Sequence, residues 1–187
     1  MRYGIAKRLR RGDSMLIFLT FRCTLKCPYC ALKYIDGKYP VSPEMTLSDW
    51  KRIIKSFPRK IREIKITGGE PMLVSYFSEL VNWLLAEGYF VYIISNTTIK
   101  KEFNQSDRVM IRATYHQSAD RDEWFEIHKW YKERHRIEVD EIDKGILTTS
   151  STKELCYREY GETCTGFIYS PEGKLFTVVN EMYRSYT

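Results

Sequence analysis

Cys23, Cys27 and Cys30 fall within the stretch Phe21–Ala31, FRCTLKCPYCA, and make up three of the chain's five cysteines. Thiolates are soft ligands that select zinc, copper(I) or iron-sulfur centres. On a helix, positions i, i+4 and i+7 share a face, but at a rise of ~1.5 Å per residue they form a row ~10 Å long. That is too extended for three sulfurs around one small centre. Pro28 argues for a loop instead, because it disfavours αR geometry at Cys27 and removes a backbone donor. A closed zinc site and a fully ligated 4Fe-4S cluster both usually take four protein ligands, so three leave one metal position open. The other use for such thiols is as small buried hydrophobes.

A second constellation, Gly68-Gly69-Glu70-Pro71, follows the alternating run Ile61–Thr67. Two glycines after a strand let the backbone pass close to a ligand and expose N–H groups near a helix N-terminus. A glutamate there can accept hydrogen bonds from a bound ammonium, and Pro71 suits a first helical turn. Taken alone, the same four residues also fit an ordinary strand-to-helix turn.

The elements around these residues alternate. Met15–Thr20 reads as a short buried strand that delivers the chain to Cys23, after a basic arm, Met1–Asp13. Beyond Cys30 come a loop with Asp36-Gly37 and a helix capped by Thr46 with Asp49, its inner stripe Trp50, Ile53, Ile54 and Phe57. Ile61–Thr67 is the second strand. A helical face of Leu73, Val74, Phe77, Leu80, Val81 and Leu84 closes at Gly88, and Phe90–Ile94 is a third strand ending at Ser95-Asn96-Thr97-Thr98. A short crossover leads to Val109–Tyr115 and His116. A helix capped by Asp120, with Trp124, Ile127, Trp130 and Tyr131 facing the core, precedes a strand over Ile137–Ile142. The tail differs: Gly166–Tyr169, a Pro171-Glu172-Gly173 turn and Lys174–Val179 read as a β-hairpin. Such alternation implies parallel strands with helices outside. The fold class is α/β, an incomplete TIM-like (β/α) barrel of about five or six parallel strands plus a short C-terminal β-hairpin. Residues 1–145 form the core domain, and 146–187 a short extension of the same structural unit. Ligands in such sheets bind at the strands' C-terminal ends, where the cysteine loop, Gly68–Pro71, Ser95-Asn96 and Thr114–His116 gather.

At 187 residues one core suffices without a disulfide or metal to hold it. The apolar stretch Met15–Leu19 is too short for a membrane span and lacks a secretory cleavage pattern, so a cytoplasmic protein without membrane attachment is expected. An odd cysteine count with metal-like spacing favours ligation over a disulfide framework. The net charge of +6 draws on Lys51, Arg52, Lys55, Arg59, Lys60, Arg62 and Lys65. These residues read as a solvated helix face in preference to a surface for nucleic acid or an acidic partner.

Together, Cys23-x3-Cys27-x2-Cys30 with Tyr29 before the last cysteine, followed by Thr67-Gly68-Gly69-Glu70-Pro71, resemble the radical S-adenosylmethionine superfamily over roughly Met15–Ile142. The resemblance implies that the three cysteines ligate one 4Fe-4S cluster whose open iron chelates S-adenosylmethionine. It implies that Gly68, Gly69, Glu70 and Pro71 hold the methionine amino group, that Tyr29 supports adenine, and that Ser95 and Asn96 supply polar groups to the cofactor. Thr114 and His116 are candidates for ribose or substrate contacts. The implied chemistry is one-electron reduction, cleavage to methionine and a 5′-deoxyadenosyl radical, and hydrogen abstraction from a substrate. An electron donor of the flavodoxin or ferredoxin type is implied with it.

Within the superfamily three branches compare differently. The 7-carboxy-7-deazaguanine synthases resemble Thr67–Pro71 and Ser95–Thr98 but typically follow the last cysteine with Asp-Thr to bind magnesium, where this chain has Ala31-Leu32. Nothing positive selects the glycyl-radical activating enzymes. A peptide-modifying branch resembles Cys27-Pro-Tyr-Cys30 and Cys164…Pro171-Glu-Gly-Lys174, yet Val178 stands where a further cysteine would help bind an auxiliary cluster. Cys156 and Cys164 are therefore expected to be buried thiols and not ligands of a second cluster. An open barrel side favours a peptide or protein substrate. The rival from another class is a zinc or iron-sulfur module on a nucleic-acid-binding protein, which leaves Gly68–Pro71 without a task.

Overall fold

The computed structural model describes residues 14–27, 30, 43–57, 61–141 and 165–178. The Met1–Asp13 arm, Tyr29, the Asp36-Gly37 loop, Cys156 and Cys164 lie outside them. Seven strands form one sheet: β1 (Ser14–Phe18), β2 (Glu63–Thr67), β3 (Phe90–Ser95), β4 (Val109–Tyr115), β5 (Arg136–Glu141), β6 (Thr165–Tyr169) and β7 (Leu175–Val178). Their order is β5-β4-β3-β2-β1-β6-β7. The first six run parallel and β7 is antiparallel to β6. The sheet is not closed, so the expected incomplete barrel takes an open form.

Position in the sheet, not strand count, departs from expectation. Consecutive strands are usually neighbours, and β1 to β5 obey this. The tail's β6 instead returns to the far side of β1, pairing Met15 with Phe167 and Ile17 with Tyr169. The hairpin therefore extends the main sheet and leaves β1 flanked on both edges.

Among the described residues three α-helices form: α1 (Leu47–Ser56), α2 (Phe77–Ala86) and α3 (Arg121–Lys132). Thr46 caps α1 reciprocally: its hydroxyl accepts from Asp49 N, and Asp49 accepts from Thr46 N, a box of the kind worth about 1 kcal/mol. Trp50 and Ile54 are buried, with Ile53 and Phe57 packed partly over the same core. Lys51 and Lys55 of α1 pair with Glu79 and Glu87 and lie over the Trp83 ring. Those two charges serve the packing of α1 on α2, in line with a solvated helix face. The apolar run after Pro71 is not one helix. Pro71–Leu73 form a 3-10 turn with Glu70 as its N-cap, and α2 begins only at Phe77.

One face of the sheet carries an unbroken apolar row in register: Ile17, Ile66, Ile93 and Ile111, with Met15, Ile64, Val91 and Val109 one step before it. All are 1% exposed or less and pack into the core with the three helices. The alternate positions, facing the other way, include Lys65, Tyr92, Met110 and Arg112, each partly exposed. A parallel sheet covered on both faces reads as continuous apolar strands. In β2, β3 and β4 the burial alternates, whereas β1 is buried on both faces from Met15 to Phe18.

Candidate active site

The chain leaves β1 through Leu19 and Thr20 and crosses directly over the end of β2. Leu19 N–H donates to Thr67 O at 3.0 Å, Gly69 N–H to Thr20 O at 2.8 Å, and Glu70 N–H to Arg22 O at 2.8 Å. This crossing accounts for both glycines. A Cβ at Gly68 would stand 2.3 Å from Thr20 O, and one at Gly69 2.3 Å from Arg22 O and 2.6 Å from Phe21 O. Every obstructing atom is backbone, so no rotamer change relieves the clash. The N–H groups of Gly69 and Glu70 are thus engaged by the segment that leads into the cysteine loop.

Glu70 lies at the meeting point of the ends of β2 and β3. Its side chain is fully buried. Oε1 accepts from Met72 N at 2.9 Å and Ser95 Oγ at 2.9 Å, and Oε2 accepts from Asn96 N at 2.9 Å and Ser95 Oγ at 3.0 Å. Burial pushes its pKa up to about 7, against the pull of the Met72, Asn96 and Ser95 donors. The carboxylate is a strut between the ends of β2 and β3.

The turn after β3 completes the arrangement. Thr97 takes φ 50, a left-handed conformation costly for a β-branched residue, while its N–H donates to Ser95 Oγ at 2.8 Å. That kink lets Asn96 point back at the cysteine loop: Nδ2 lies 3.5 Å from Cys23 Sγ and 3.1 Å from Thr24 Oγ1. Trp124 of α3 donates from Nε1 to Asn96 O at 2.8 Å. On the other flank Glu44, just before α1, accepts from Arg22 Nε at 2.7 Å and Nη2 at 2.8 Å, and from Thr20 Oγ1. Burial raises the Glu44 pKa, but the bonds from Arg22 and Thr20 outweigh it and leave the carboxyl below its ordinary value.

Cys23, Cys27 and Cys30 form no disulfide, Cys27 being buried and the others half-buried. Cys30 N–H donates to Cys27 O at 3.2 Å. Burial pushes the Cys23 thiol up, against the pull of the Leu25 N–H, and Glu70, Cys30 and Cys27 add to the rise through their charge. Among the described residues no three of His, Cys, Asp and Glu form a group able to hold a single metal ion. Three soft thiols on one loop have the donor chemistry of an iron-sulfur centre. The N–H donors to Cys23 Sγ, from Asn96 and from Leu25 N at 3.4 Å, suit an iron-bound thiolate. These residues therefore fit a 4Fe-4S cluster. A zinc module would need a more distant cysteine, and Cys156 and Cys164 lie outside the described residues.

Gly68, Gly69, Glu70, Ser95 and Asn96 are thus brought together with Cys23. Thr114 and His116 stand one strand over, half-buried at the end of β4. Burial holds the His116 ring down at about 4. Thr20, Thr24, Glu44 and Trp124 complete the site without having been singled out by sequence. Their roles depend on neighbours 22 to 74 residues away in the chain, for which no local signal exists. Among the described residues, no helix is long and apolar enough to cross a membrane.

Known proteins resemble this chain in both sequence and fold. A probable GTP 3′,8-cyclase of Methanopyrus kandleri is 30% identical over 105 residues, which are 55% of this chain and 32% of that protein. A PqqA peptide cyclase of Rhodopseudomonas palustris is 29% identical over 89 residues, 46% of this chain and 22% of the relative. The matched stretches are a third or less of these relatives' own length. The crystal structure of Streptococcus suis SuiB bound to its precursor peptide SuiA shares the fold with a TM-score of 0.59 at 14% identity, over 94% of this chain and 45% of SuiB. The family model of the radical SAM superfamily matches residues 17–138, from within β1 to within β5. That span takes in the cysteine loop, the glycine turn and the strut between them, and the chain belongs to the radical SAM superfamily.

Proposed function

We propose that this chain is an enzyme in which Cys23, Cys27 and Cys30 hold one 4Fe-4S cluster, and in which the Gly68–Pro71 segment, with Tyr29 and Thr114, binds S-adenosylmethionine at the iron the cysteines leave open. One observation carries the reading: the two motifs are hydrogen-bonded backbone to backbone, Gly69 to Thr20 and Glu70 to Arg22. A cluster loop and a cofactor grip joined in this way keep a fixed mutual geometry, which is what inner-sphere chemistry between two bound groups requires. Together the bound cluster and S-adenosylmethionine supply one-electron cleavage of the sulfonium to methionine and a 5′-deoxyadenosyl radical that abstracts a substrate hydrogen. The chain's own part is to position and to exclude water. Phe18, Leu19 and Phe21, 4% exposed or less, make the segment that leads to Cys23 apolar and dry. His116, neutral near pH 7, offers polarity without charge at the end of β4.

The substrate class we favour is a peptide or protein. Lys65, Tyr92 and Arg112, partly exposed at alternate positions of β2, β3 and β4, put polar side chains on one face of the sheet. The likeness to a peptide cyclase and to a fold solved with a precursor peptide points the same way. A flavodoxin- or ferredoxin-type protein would deliver the electron, in the cytoplasm, where thiols stay reduced.

The test is anaerobic reconstitution followed by incubation with S-adenosylmethionine and dithionite. Near four irons per chain and formation of 5′-deoxyadenosine are expected, with faster formation on adding a mixture of peptides. Near eight irons would mean a second cluster. No 5′-deoxyadenosine from iron-loaded protein would sink the enzymatic reading, and stimulation by GTP instead of peptides would sink the substrate class.

A further inference from the structure

We infer that Asn96 is a positioning residue that sets the cluster's reduction potential by donating a hydrogen bond from its side-chain amide to Cys23 Sγ. This rests on the reading of Cys23 as a cluster ligand. The Nδ2 to Sγ distance is 3.5 Å, within the range for an N–H···S contact.

Which end of the amide faces the sulfur is decided by its neighbours. Oδ1 accepts from Thr98 N at 3.1 Å and from Thr98 Oγ1 at 2.8 Å. A backbone N–H only donates, so the flipped amide would set NH₂ against N–H. The carbonyl end therefore belongs to Thr98, and the two amide hydrogens go to Cys23 Sγ and Thr24 Oγ1.

Asn96 is 5% exposed and cannot swing away. Glu70 Oε2 accepts from its N–H, and Trp124 Nε1 donates to its carbonyl. The sequence resemblance gives Asn96 to S-adenosylmethionine, whereas the geometry gives its side-chain donor to a sulfur. A thiolate bound to iron gains negative charge when the cluster is reduced. A fixed N–H donor therefore stabilises the reduced form more than the oxidised one and makes the potential less negative. Leu25 N–H reaches the same sulfur at 3.4 Å, so removal of Asn96 leaves one of these two donors in place.

The experiment compares wild-type protein with Asn96→Leu and Asn96→Asp, reconstituted anaerobically without S-adenosylmethionine and titrated against redox mediators, with the EPR signal of the reduced cluster as the readout. Both variants are expected to bind as much iron as wild type and to require a more negative potential for half-reduction. The larger shift is expected for Asn96→Asp, which keeps the acceptor for Thr98 but turns a carboxylate oxygen toward the sulfur. If Asn96→Leu fails to fold, the nearly isosteric Asn96→Asp decides. An iron-replete variant whose potential is unchanged or less negative overturns the inference, as does loss of the cluster in both variants, which would make the amide a structural support. Wild-type protein that binds no iron overturns both this inference and the reading beneath it.

Discussion

The ends of β1, β2 and β3 are bound to one another, while the end of β4, the next strand in the same sheet, is left comparatively open. In the first region Thr20, Glu70, Ser95, Asn96 and Thr97 are polar and at most 5% exposed, and hydrogen bonds run from strand to strand. In the second, Thr114, Tyr115 and His116 are half-buried and Gln117 and Ser118 are exposed. Trp124 joins the two, donating to Asn96 O and resting edge-on against Tyr115 at 5.2 Å. A region that must present reagents in one geometry is built from groups that satisfy one another before any ligand arrives. A region that must meet a varied partner keeps its polar groups at the surface.

One added methyl group should break the first region. Gly69→Ala drives a Cβ into two backbone carbonyls at 2.3 and 2.6 Å, and overpacking of this kind costs about 1–3 kcal/mol or more. We expect the upper end of that range, a lower Tm and reduced iron uptake on reconstitution. Wild-type values of both would mean that the two loops are not locked together.

A pH series should sharpen the contrast, because the two regions respond with opposite sign. Glu70 titrates near 7 when folded, against 4.5 as its ordinary value. Between those pH values the folded state holds the extra proton, so this group's contribution to stability falls as pH rises through the window, by up to about 3 kcal/mol. Denaturant unfolding of wild type and Glu70→Gln at pH 5 and pH 7.5 should show the difference between them changing accordingly. A difference independent of pH would mean that the carboxylate is not buried as described.

The smaller effect belongs to His116. Its pKa falls from 6.5 to about 4, so the unfolded state binds the extra proton and stability is lost as pH falls through that range. Partial exposure weakens the effect relative to Glu70. NMR titration of the ring should give no midpoint near 6.5, and finding one there would contradict the buried placement.

The features readable in the sequence were those whose chemistry is local. Three cysteines at metal-ligand spacing, a proline that forbids a helix between them, and a glycine pair after an alternating strand each carry their meaning within a few residues. So do the Thr46–Asp49 cap and the Pro171-Glu172-Gly173 turn. Features that depended on distant residues were not readable. Nothing near Glu70 announces its bonds with Ser95 and Asn96, which meet it only through the register of β2 with β3. The close crossing of Thr20–Arg22 over the two glycines is likewise a tertiary event with no local signal. The place of β6 was hidden for the same reason, since adjacency in sequence is only a tendency in a sheet and here it yields to the far edge of β1.

That placement bears on how the molecule is made. β1 carries the cysteine loop, yet one of its edges stays bare until the ribosome has delivered the partner of Met15, Phe167. Pairing so remote in sequence is slow, and an uncovered strand edge invites association with other chains. During synthesis the cysteines emerge early on a strand not yet supported on both sides. Iron delivered at that stage would meet a loop without its finished scaffold, so productive metallation should await the last parallel strand.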